Sequence, residues 1–336
     1  MKKVYWIVGV LTLTWVIYAK SISNHGDLNR KEASLNASDQ EETISISGAF
    51  ALYPMTIKWG EGFKTIHPNV RFEISAGGAG KGISDVLGGL VDLGAVSREI
   101  YPEELDRGAF PLAVCIDAVV PTVNASNRDL KEILAKGLKR KDFEAIFVLN
   151  DIKDWKELGF TLGLPIHVYT RSDAAGAAET WAGYLRSRQE DLQGTGVFGD
   201  PGLLQAIQRD PGGIGFNNIS YVYDIKSRQH QAGIEVIPID MNENGKIDRE
   251  ENYYNNLDEI VKAIKEGKYP SPPARELYYV SKKKPDRKIV LDFLDWVLTE
   301  GQKELDAAGY IPLEETKVHN ELNKIHFVAQ TNKYPL

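Results

Sequence analysis

The chain has 336 residues, 43% of them hydrophobic and 26% charged, and its formal net charge is −7. This length accommodates two domains of ordinary size, and the composition is typical of a globular protein. The negative charge argues against nucleic acids and acidic membrane surfaces as partners, so an anionic ligand must be attracted locally at its site. Cys115 is the one cysteine of the sequence, so an internal disulfide is excluded, and it lies in an apolar run.

Residues 1–20 are predicted to be a signal peptide or a membrane anchor. Lys2 and Lys3 precede an apolar run from Val4 to Ala19, a pattern typical of secretory signals and of single anchors. Residues 21–43 are polar and predict a tether. We therefore expect the protein outside the cytoplasm, in the periplasm or cell envelope, secreted or anchored by this apolar segment.

The first ordered element is a short strand, Ile44–Gly48, followed by a helical pattern of apolar residues from Leu52 to Ile66. The turn between them is centred on Ala49 and Phe50. The first N–H groups of a helix lack intrahelical partners, and together with the helix dipole they favour an anion. These two residues are therefore candidate anion ligands.

A second turn of this kind is the glycine-rich stretch Gly77–Gly82, which also stands between a strand and a helical pattern. Its candidate ligands are Gly78 and Ala79, where small residues let an anion approach the backbone. The glycine spacing differs from that of a dinucleotide-binding loop, and Lys81 is not followed by the Ser or Thr of a phosphate loop. A short apolar strand around Asp92 comes next.

A third strand-to-helix turn is headed by an arginine. Leu112–Val123 predicts a strongly apolar strand, and Pro165–Thr170 predicts another that ends at Arg171. The small residues that follow, Ala175, Gly176 and Ala177, begin a helix. Ligands of α/β proteins bind at the carboxyl ends of strands, so three such turns together predict an anion site.

The remaining chain continues the alternation of strands and helices. Ile234–Ile239 predicts a strand, and apolar residues at helical spacing mark Leu257–Ile264 and Ile289–Val297. Strands that alternate with helices predict an α/β fold.

The segment Asp240–Glu251 matches the spacing of an EF-hand calcium loop, with oxygen-bearing side chains at positions 1, 3, 5, 9 and 12 and glycine at position 6. The predicted ligands of a structural Ca²⁺ are Asp240, Asn242, Asn244, Lys246 through its carbonyl, Asp248 and Glu251. A strand rather than a helix precedes the loop, so only the loop is similar to an EF-hand. The alternative is an acidic Asn-Gly turn.

Several short segments follow one another in a specific order and spacing along most of the chain: Ile46–Gly48, Leu52–Pro54, Gly77–Gly80, Asp92–Arg98, Ile146–Phe147 with Trp155, Arg171–Asp173, Gly213–Gly215, Pro270–Arg275, Gly301–Gln302 and Gly309–Pro312. With these pieces the chain resembles the phosphate-binding proteins of ABC phosphate importers. The resemblance implies a two-lobed α/β fold of the periplasmic-binding-protein type (type II), with two interdomain crossovers near Val123 and Ala232.

The resemblance also divides the chain. Residues 44–123 would form the first part of lobe 1, residues 124–232 would form lobe 2, and residues 233–336 would return to lobe 1 with the calcium loop 240–251. An anion would be held between the lobes by helix N-termini.

The chain departs from the family where the turns usually present Ser or Thr hydroxyls. The matching positions are Ala49 and Phe50, then Ala79, then Ala175 and Ala177. Each missing hydroxyl removes a donor worth about 0.5–1.5 kcal/mol. We therefore expect phosphate binding that is weaker than is usual for the family, supported by backbone N–H groups.

The resemblance gives three further residues a role. Arg171 would supply charge and a fork of donors; alternatively it pairs with Asp173. Asp92 would accept a proton from a protonated oxyanion; alternatively it holds a strand end. Ser97 would face the ligand; alternatively it belongs, with Arg98, to a hinge or to a contact between lobes.

The sequence thus predicts a monomeric solute-binding protein, not an enzyme, that captures phosphate or a related oxyanion for an ABC permease in the membrane. It contains no catalytic constellation, and no nucleic-acid partner is expected. The alternative is a tethered binding or sensor module outside transport that keeps the fold and has lost phosphate binding.

Overall fold

The computed structural model describes residues 41–326. The predicted signal or anchor and nearly all of the predicted tether lie outside the described residues. Within 41–326, no helix is both long enough and apolar enough to cross a bilayer. Residues 41–43 and 67–71 belong to a small unit, in which the Glu42 N–H donates to the Asn69 carbonyl at 3.2 Å. Residues 44–66 and 72–326 belong to the main unit.

Strands and helices alternate through the described residues, which confirms the α/β prediction. The strands are β1 (Glu42–Gly48), β2 (Val70–Ala76), β3 (Leu93–Val96), β4 (Ala109–Asn124), β5 (His167–Arg171), β6 (Thr195–Val197), β7 (Gly213–Asn218), β8 (Ile234–Val236) and β9 (Ala274–Lys282). The α-helices are α1 (Tyr53–Lys64), α2 (Ala79–Gly88), α3 (Pro102–Asp106), α4 (Leu130–Lys136), α5 (Arg140–Phe147), α6 (Gly176–Tyr184), α7 (Gly199–Arg209), α8 (Ile219–Val222), α9 (Leu257–Lys265), α10 (Lys288–Leu298) and α11 (Glu315–His326).

The long strand β4 joins two groups of strands. The strand order is β2-β1-β3-β9-β4-β7-β5-β6, with β8 also on β4. The first half of β4, up to Ala118, pairs antiparallel with β9, whereas the second half, from Val119, pairs antiparallel with β7. β1 and β3 are parallel in the first group, as are β5, β6 and β7 in the second. Each group therefore has parallel strands that lead into helices.

The strand pairing returns to the first group later in the chain than the crossover predicted near Ala232. β8 pairs with the second half of β4, and side chains from Ile234 to Tyr269 pack in the same core as β7 and α6. The chain returns to the first group only at β9, which begins at Ala274. Pairing thus changes at Ala118–Val119 and near Ala274. The predicted boundaries at 123 and 232 remain a prediction, and the pairing favours placing residues 233–273 with the second group.

An aromatic cluster fixes each group of strands. Trp181 of α6 lies 5.1 Å from Phe143 and 6.1 Å from Phe216 between ring centroids. Phe293 of α10 lies 5.3 Å from Phe63 of α1. Fully burying one such side chain contributes about 1.5–3 kcal/mol. The first cluster holds α6 against β7 and α5, and the second packs α10 against α1.

Candidate anion-binding site

The first two predicted turns lie against each other at the ends of β1 and β2. The N–H groups of Gly77 and Gly78 both donate to the Gly48 carbonyl, at 2.9 and 3.1 Å. A Cβ on Gly48 would lie 2.8 Å from the Cα of Gly82, and the φ of Gly48 is +135°. Only glycine fits this close approach of the two backbones.

The third turn, after β5, meets the second turn and the end of β3. The Gly80 N–H donates to the Ala174 carbonyl at 3.0 Å. A Cβ on Gly176 would collide with the Oγ and carbonyl oxygen of Ser97. A Cβ on Gly78 would lie 2.7 Å from the Asp173 Oδ2. The structure therefore brings together the three turns and Ser97.

Several backbone N–H groups at this junction make no hydrogen bond within residues 41–326. Among them are those of Phe50 before α1, of Ala79 at the start of α2 and of Ala177 in the first turn of α6. None of the three helices has a side-chain cap. Unpaired N–H groups at converging helix starts are donors that an oxyanion can accept from.

Arg171 is buried between two carboxylates. Its Nε and Nη2 donate to Asp173 at 2.9 and 2.6 Å, and its Nη1 donates to Asp200 at 2.6 Å. Burial alone would lower the pKa of Arg171, but the charges of Asp200 and Asp173 raise it above its ordinary value. The side chain is 1% exposed. The sequence-based alternative, a pair with Asp173, is therefore present in the structure, and the guanidinium charge is already compensated.

An aromatic pair covers this guanidinium. The Arg171 Cζ lies 5.4 Å from the ring centroid of Phe50, close enough for a cation–π contact. Phe50 also packs edge-on against Phe198, with 5.9 Å between centroids. The Tyr221 hydroxyl donates to the Phe50 carbonyl at 3.1 Å. Phe50 therefore contributes its ring to Arg171 and leaves its N–H unpaired.

Asp92 does not join the turns, which corrects its predicted place. It lies just before β3, at the amino end of that strand, whereas the turns lie at carboxyl ends. Its Oδ2 accepts from the N–H and hydroxyl of Ser45, both at 2.8 Å, and its Oδ1 accepts from Arg287 at 2.5 Å. The parallel pairing of β1 and β3 fixes this position. Asp92 thus holds a strand end, the alternative that the sequence left open.

Sequence reasoning missed the buried polar residues behind Arg171. Asp200 accepts from Asn218 at 2.5 Å, and Asn218 in turn accepts from Arg275. Arg275 donates to Asp117 at 2.8 and 3.3 Å. The usable signal was the helix start at Gly199-Asp200-Pro201, because Asp and Pro favour the first turn of a helix. The partners of Asp200 come from distant strands and gave no local signal.

The predicted calcium loop is closed by its own hydrogen bonds. The Asp240 carboxylate accepts from the N–H groups of Asn244 and Gly245, at 3.2 and 2.8 Å. The Glu251 carboxylate accepts from three backbone N–H groups, including that of Asn242 at 3.0 Å. Asp240 and Glu251 are buried, at 2% and 7% exposure. Both carboxylates are therefore held in place.

The third carboxylate of the loop has other partners. Lys246 lies 2.7 Å from Asp248, and the side-chain amides of Asn242 and Asn244 donate to Asp248 at 3.0 and 2.7 Å. These contacts lower the pKa of Asp248 to about 2. In the described part of the chain, no three His, Cys, Asp or Glu side chains are grouped as a metal site. An ion in this loop would require Asp248 to exchange its partners.

Known proteins with this architecture have related sequences. The phosphate-binding protein PstS of Bacillus subtilis is 25% identical over 328 residues, covering 96% of this chain and 99% of the relative. PstS of Methanocaldococcus jannaschii is 28% identical over 348 residues, covering 87% of this chain and 88% of the relative.

Solved structures share the fold. A phosphate ABC transporter substrate-binding protein of Clostridium perfringens, solved with bound phosphate, has a TM-score of 0.67 at 22% identity, covering 81% of this chain and all of its own. An ABC-type phosphate transport receptor of Vibrio cholerae has a TM-score of 0.58 at 18% identity, covering 80% and 100%. The predicted two-lobed fold of the periplasmic-binding-protein type is thereby confirmed. The family model for the PBP superfamily domain matches residues 33–300, and this chain therefore belongs to the PBP superfamily.

Proposed function

We propose that this chain is an extracytoplasmic solute-binding protein that captures phosphate or a related oxyanion and delivers it to an ABC permease. The observation that carries the proposal is the meeting of three helix starts whose N–H groups, at Phe50, Ala79 and Ala177, lack partners within 41–326. The PstS relatives, which are phosphate-binding proteins by name, support the same ligand class. The protein would act as a monomer and without catalysis.

The ligand would be held mainly by backbone donors. The positions that match the hydroxyls of the family are alanine or phenylalanine, and the Arg171 charge is shared by Asp173 and Asp200. Neutral N–H donors contribute about 0.5–1.5 kcal/mol each, less than bonds between charged groups. We therefore expect weak but selective binding.

Calorimetric titration of the full chain with phosphate, arsenate, sulfate, molybdate and tungstate tests this function. Two glycines of α6 provide matched variants. Gly176→Ala places a methyl group against Ser97 and should abolish binding, whereas nothing lies within 4 Å of a Cβ on Gly183, so Gly183→Ala should bind like wild type. The proposal would be contradicted if none of the five anions gave a heat of binding, or if both variants bound equally well.

The alternative of a tethered module without a ligand rests on the replaced hydroxyls. The similarity to PstS proteins along most of the chain does not favour it. It predicts no heat from any anion, so the same titration separates the two functions. The proposed location, secreted or anchored outside the cytoplasm, rests on the N-terminal apolar segment in the sequence.

We further propose that the loop Asp240–Glu251 binds Ca²⁺ as a structural ion. Its support is the ligand spacing in the sequence and the two buried carboxylates, Asp240 and Glu251, which the loop backbone orients. Asn242, Asn244, Asp248 and the Lys246 carbonyl would complete a set of hard oxygen ligands. An ion that binds only the folded chain stabilises it by RT ln(1 + [L]/Kd), about 2.7 kcal/mol at a hundredfold excess over Kd.

Scanning calorimetry with calcium or with a chelator tests this ion. Calcium should raise the melting temperature of the full chain. Glu251→Gln should remove most of the difference, while Glu250→Gln, at the exposed neighbouring position, should keep it. Superimposed melting curves in calcium and chelator would show that the loop is an acidic turn only.

A further inference from the structure

One side chain from outside the third turn holds the backbone of that turn at two points. The Nε2 of Gln189 donates to the Asp173 carbonyl at 2.6 Å, and its Oε1 accepts from the Ala175 N–H at 3.0 Å. A side-chain amide can do both, because it carries a donor and an acceptor and no charge. Ala175, the residue before α6, has no capping side chain of its own. Gln189 therefore fixes the backbone immediately before this helix.

Gln189 is itself presented by an ordered turn. It begins a short 3₁₀-helix, Gln189–Asp191, which follows α6 in the chain. The Asp191 carboxylate accepts from the Arg188 N–H at 3.0 Å. The Gln189 N–H donates to Glu179 of α6 at 3.4 Å. The amide thus reaches the third turn from a backbone that is anchored both to its own turn and to α6.

The part of the turn that Gln189 holds links two parts of the anion site. On one side, the Asp173 carboxylate accepts from Arg171 and, at 3.1 Å, from the Gly199 N–H. On the other side, the chain enters α6, where the Ala177 N–H is unpaired within residues 41–326. Each residue between them has two soft backbone dihedral angles, so a turn without a clamp could rotate and redirect this N–H.

The clamp also decides which donors the turn can offer. The Ala175 N–H is already bonded to Gln189, so an anion would take its donor from further along the chain, at Ala177. The ligand role expected for Ala175 would then not use its N–H. The amide adds no negative charge beside the anion, whereas a carboxylate at this position would add one and could not donate to the Asp173 carbonyl.

We propose that Gln189 is a positioning residue of the anion site, which sets the backbone before α6 so that the Ala177 N–H is aimed at the oxyanion before it arrives. A donor that is already ordered costs less affinity than one that must be ordered on binding. Gln189 acts through the turn and not by touching the anion. This role rests on the proposed function, because it requires an anion at the three turns.

Two substitutions test this role by calorimetric titration of the full chain with inorganic phosphate and the four other anions named above. Gln189→Met removes both hydrogen bonds without adding charge and should lower the affinity about tenfold at every pH. Gln189→Glu should lose at least as much at neutral pH. Its affinity relative to wild type should recover as the new carboxyl is protonated at low pH, because a protonated carboxyl again offers a donor and an acceptor.

The pH dependence is read as a ratio, because position 189 has charged neighbours. They are Glu179 of α6, Asp173 of the third turn with its partner Arg171, and Arg188, Glu190 and Asp191 of its own turn. Wild type contains the same groups, so dividing by the wild-type affinity at each pH leaves the effect of the new carboxyl. Repulsion between that carboxylate and the anion, acting alone, would leave Gln189→Met as tight as wild type.

A second glutamine provides the matched control. Gln208 of α7 is also half-buried, and its Nε2 also donates to a backbone carbonyl, that of Ala232, at 2.8 Å. Gln208→Met and Gln208→Glu should therefore bind like wild type at every pH. Peptide-resolved hydrogen exchange across residues 172–178 should be faster than in wild type in Gln189→Met and unchanged in Gln208→Met.

The outcomes separate this role from the proposed function. If wild type binds and Gln189→Met binds equally well, if the Gln189→Glu ratio does not rise at low pH, or if exchange in Gln189→Met is unchanged, the positioning role is overturned and the anion site stands. If wild type gives no heat with any of the five anions, the proposed function fails and this role fails with it. If Gln189→Met does not fold, the low-pH recovery of Gln189→Glu decides.

Discussion

The Arg171 guanidinium neutralises two buried acids, so its removal leaves Asp173 and Asp200 without a counter-charge. Breaking a buried ion pair from one side typically costs about 3–5 kcal/mol. We expect Arg171→Met to lower the free energy of unfolding by this amount. The double variant Arg171→Met with Asp200→Asn should lose less than the sum of the single changes, because it removes one of the stranded charges. Urea unfolding of the three variants measures this coupling, and additive losses would contradict it.

Ala79 occupies a place where the family presents a hydroxyl. It is 1% exposed, at the start of α2, and its N–H is unpaired within the described residues. Ala79→Ser should restore one donor and raise phosphate affinity by about 2- to 10-fold, the equivalent of about 0.5–1.5 kcal/mol. Ala263→Ser, an equal change at a buried position of α9, is the control. If calorimetry shows that Ala79→Ser leaves the phosphate affinity unchanged, the side chain at position 79 does not contact the ligand.

At the scale of elements, the short helix α3 depends on one carboxylate. Glu104 accepts from the Tyr101 N–H at 2.9 Å and from both Nη atoms of Arg98, at 2.9 and 2.6 Å. Burial alone would raise the pKa of Glu104, but the Arg98 contacts and the Tyr101 N–H lower it below its ordinary value of 4.5. Because the folded pKa is the lower one, this stabilisation is present above pH 4.5 and is lost as the pH falls through the folded pKa.

Glu104→Gln should therefore flatten the acid limb of the stability curve. At neutral pH the variant should lose about 1–3 kcal/mol, the usual range for a bond to a charged group or for stranding its partner. The loss should shrink as the pH falls through the folded pKa, which lies below 4.5, because wild-type Glu104 is then protonated too. Unfolding at several pH values measures this, with Glu103→Gln as the exposed control. A loss that is constant with pH would show that the charge of Glu104 is not involved.

The elements that the sequence predicts well are those with a local signal. The glycine-rich turn Gly77–Gly82 predicted a helix start, because small residues and the helical pattern after it are adjacent in the chain, and α2 begins within this stretch, at Ala79. The apolar run Leu112–Val123 predicted β4, which extends to Ala109–Asn124. β9 was missed because Ala274–Lys282 mixes apolar and charged residues, without clean alternation, although both of its edges are paired.

The candidate site was predictable to the same extent. The three turns follow from strand, small residues and helix in sequence, and the structure brings them together. The place of Asp92 did not follow, because only the parallel register of β1 and β3 shows at which end of the sheet it lies. Asp200 and Arg275 were missed because their partners are far away in sequence: Asp117 and Arg275 are 158 residues apart. Local pattern carries no information about such pairs.

At the scale of the whole molecule, Arg275 lies where strand pairing passes from one group to the other. It belongs to the start of β9 and is 9% exposed. It donates to Asp117 of β4 at 2.8 Å and to Thr180 of α6 at 3.0 Å, and also to Asn218 of β7. One side chain thus connects both strand groups and, through Asn218 and Asp200, the Arg171 turn. We infer that it couples the stability of the two groups.

Arg275→Lys tests this coupling without removing the charge. An ammonium group cannot reproduce the planar fork that reaches three partners, so at least one buried acceptor loses its donor. We expect the free energy of unfolding to fall by about 1–3 kcal/mol. Peptide-resolved hydrogen exchange should then show β5 and β7 opening at a different free energy from β1 and β3, whereas wild type should open them together. Arg209→Lys, at an exposed position of α7, is the matched control. If both variants keep the two groups of strands equally protected, the groups are coupled by packing along β4 and not by Arg275.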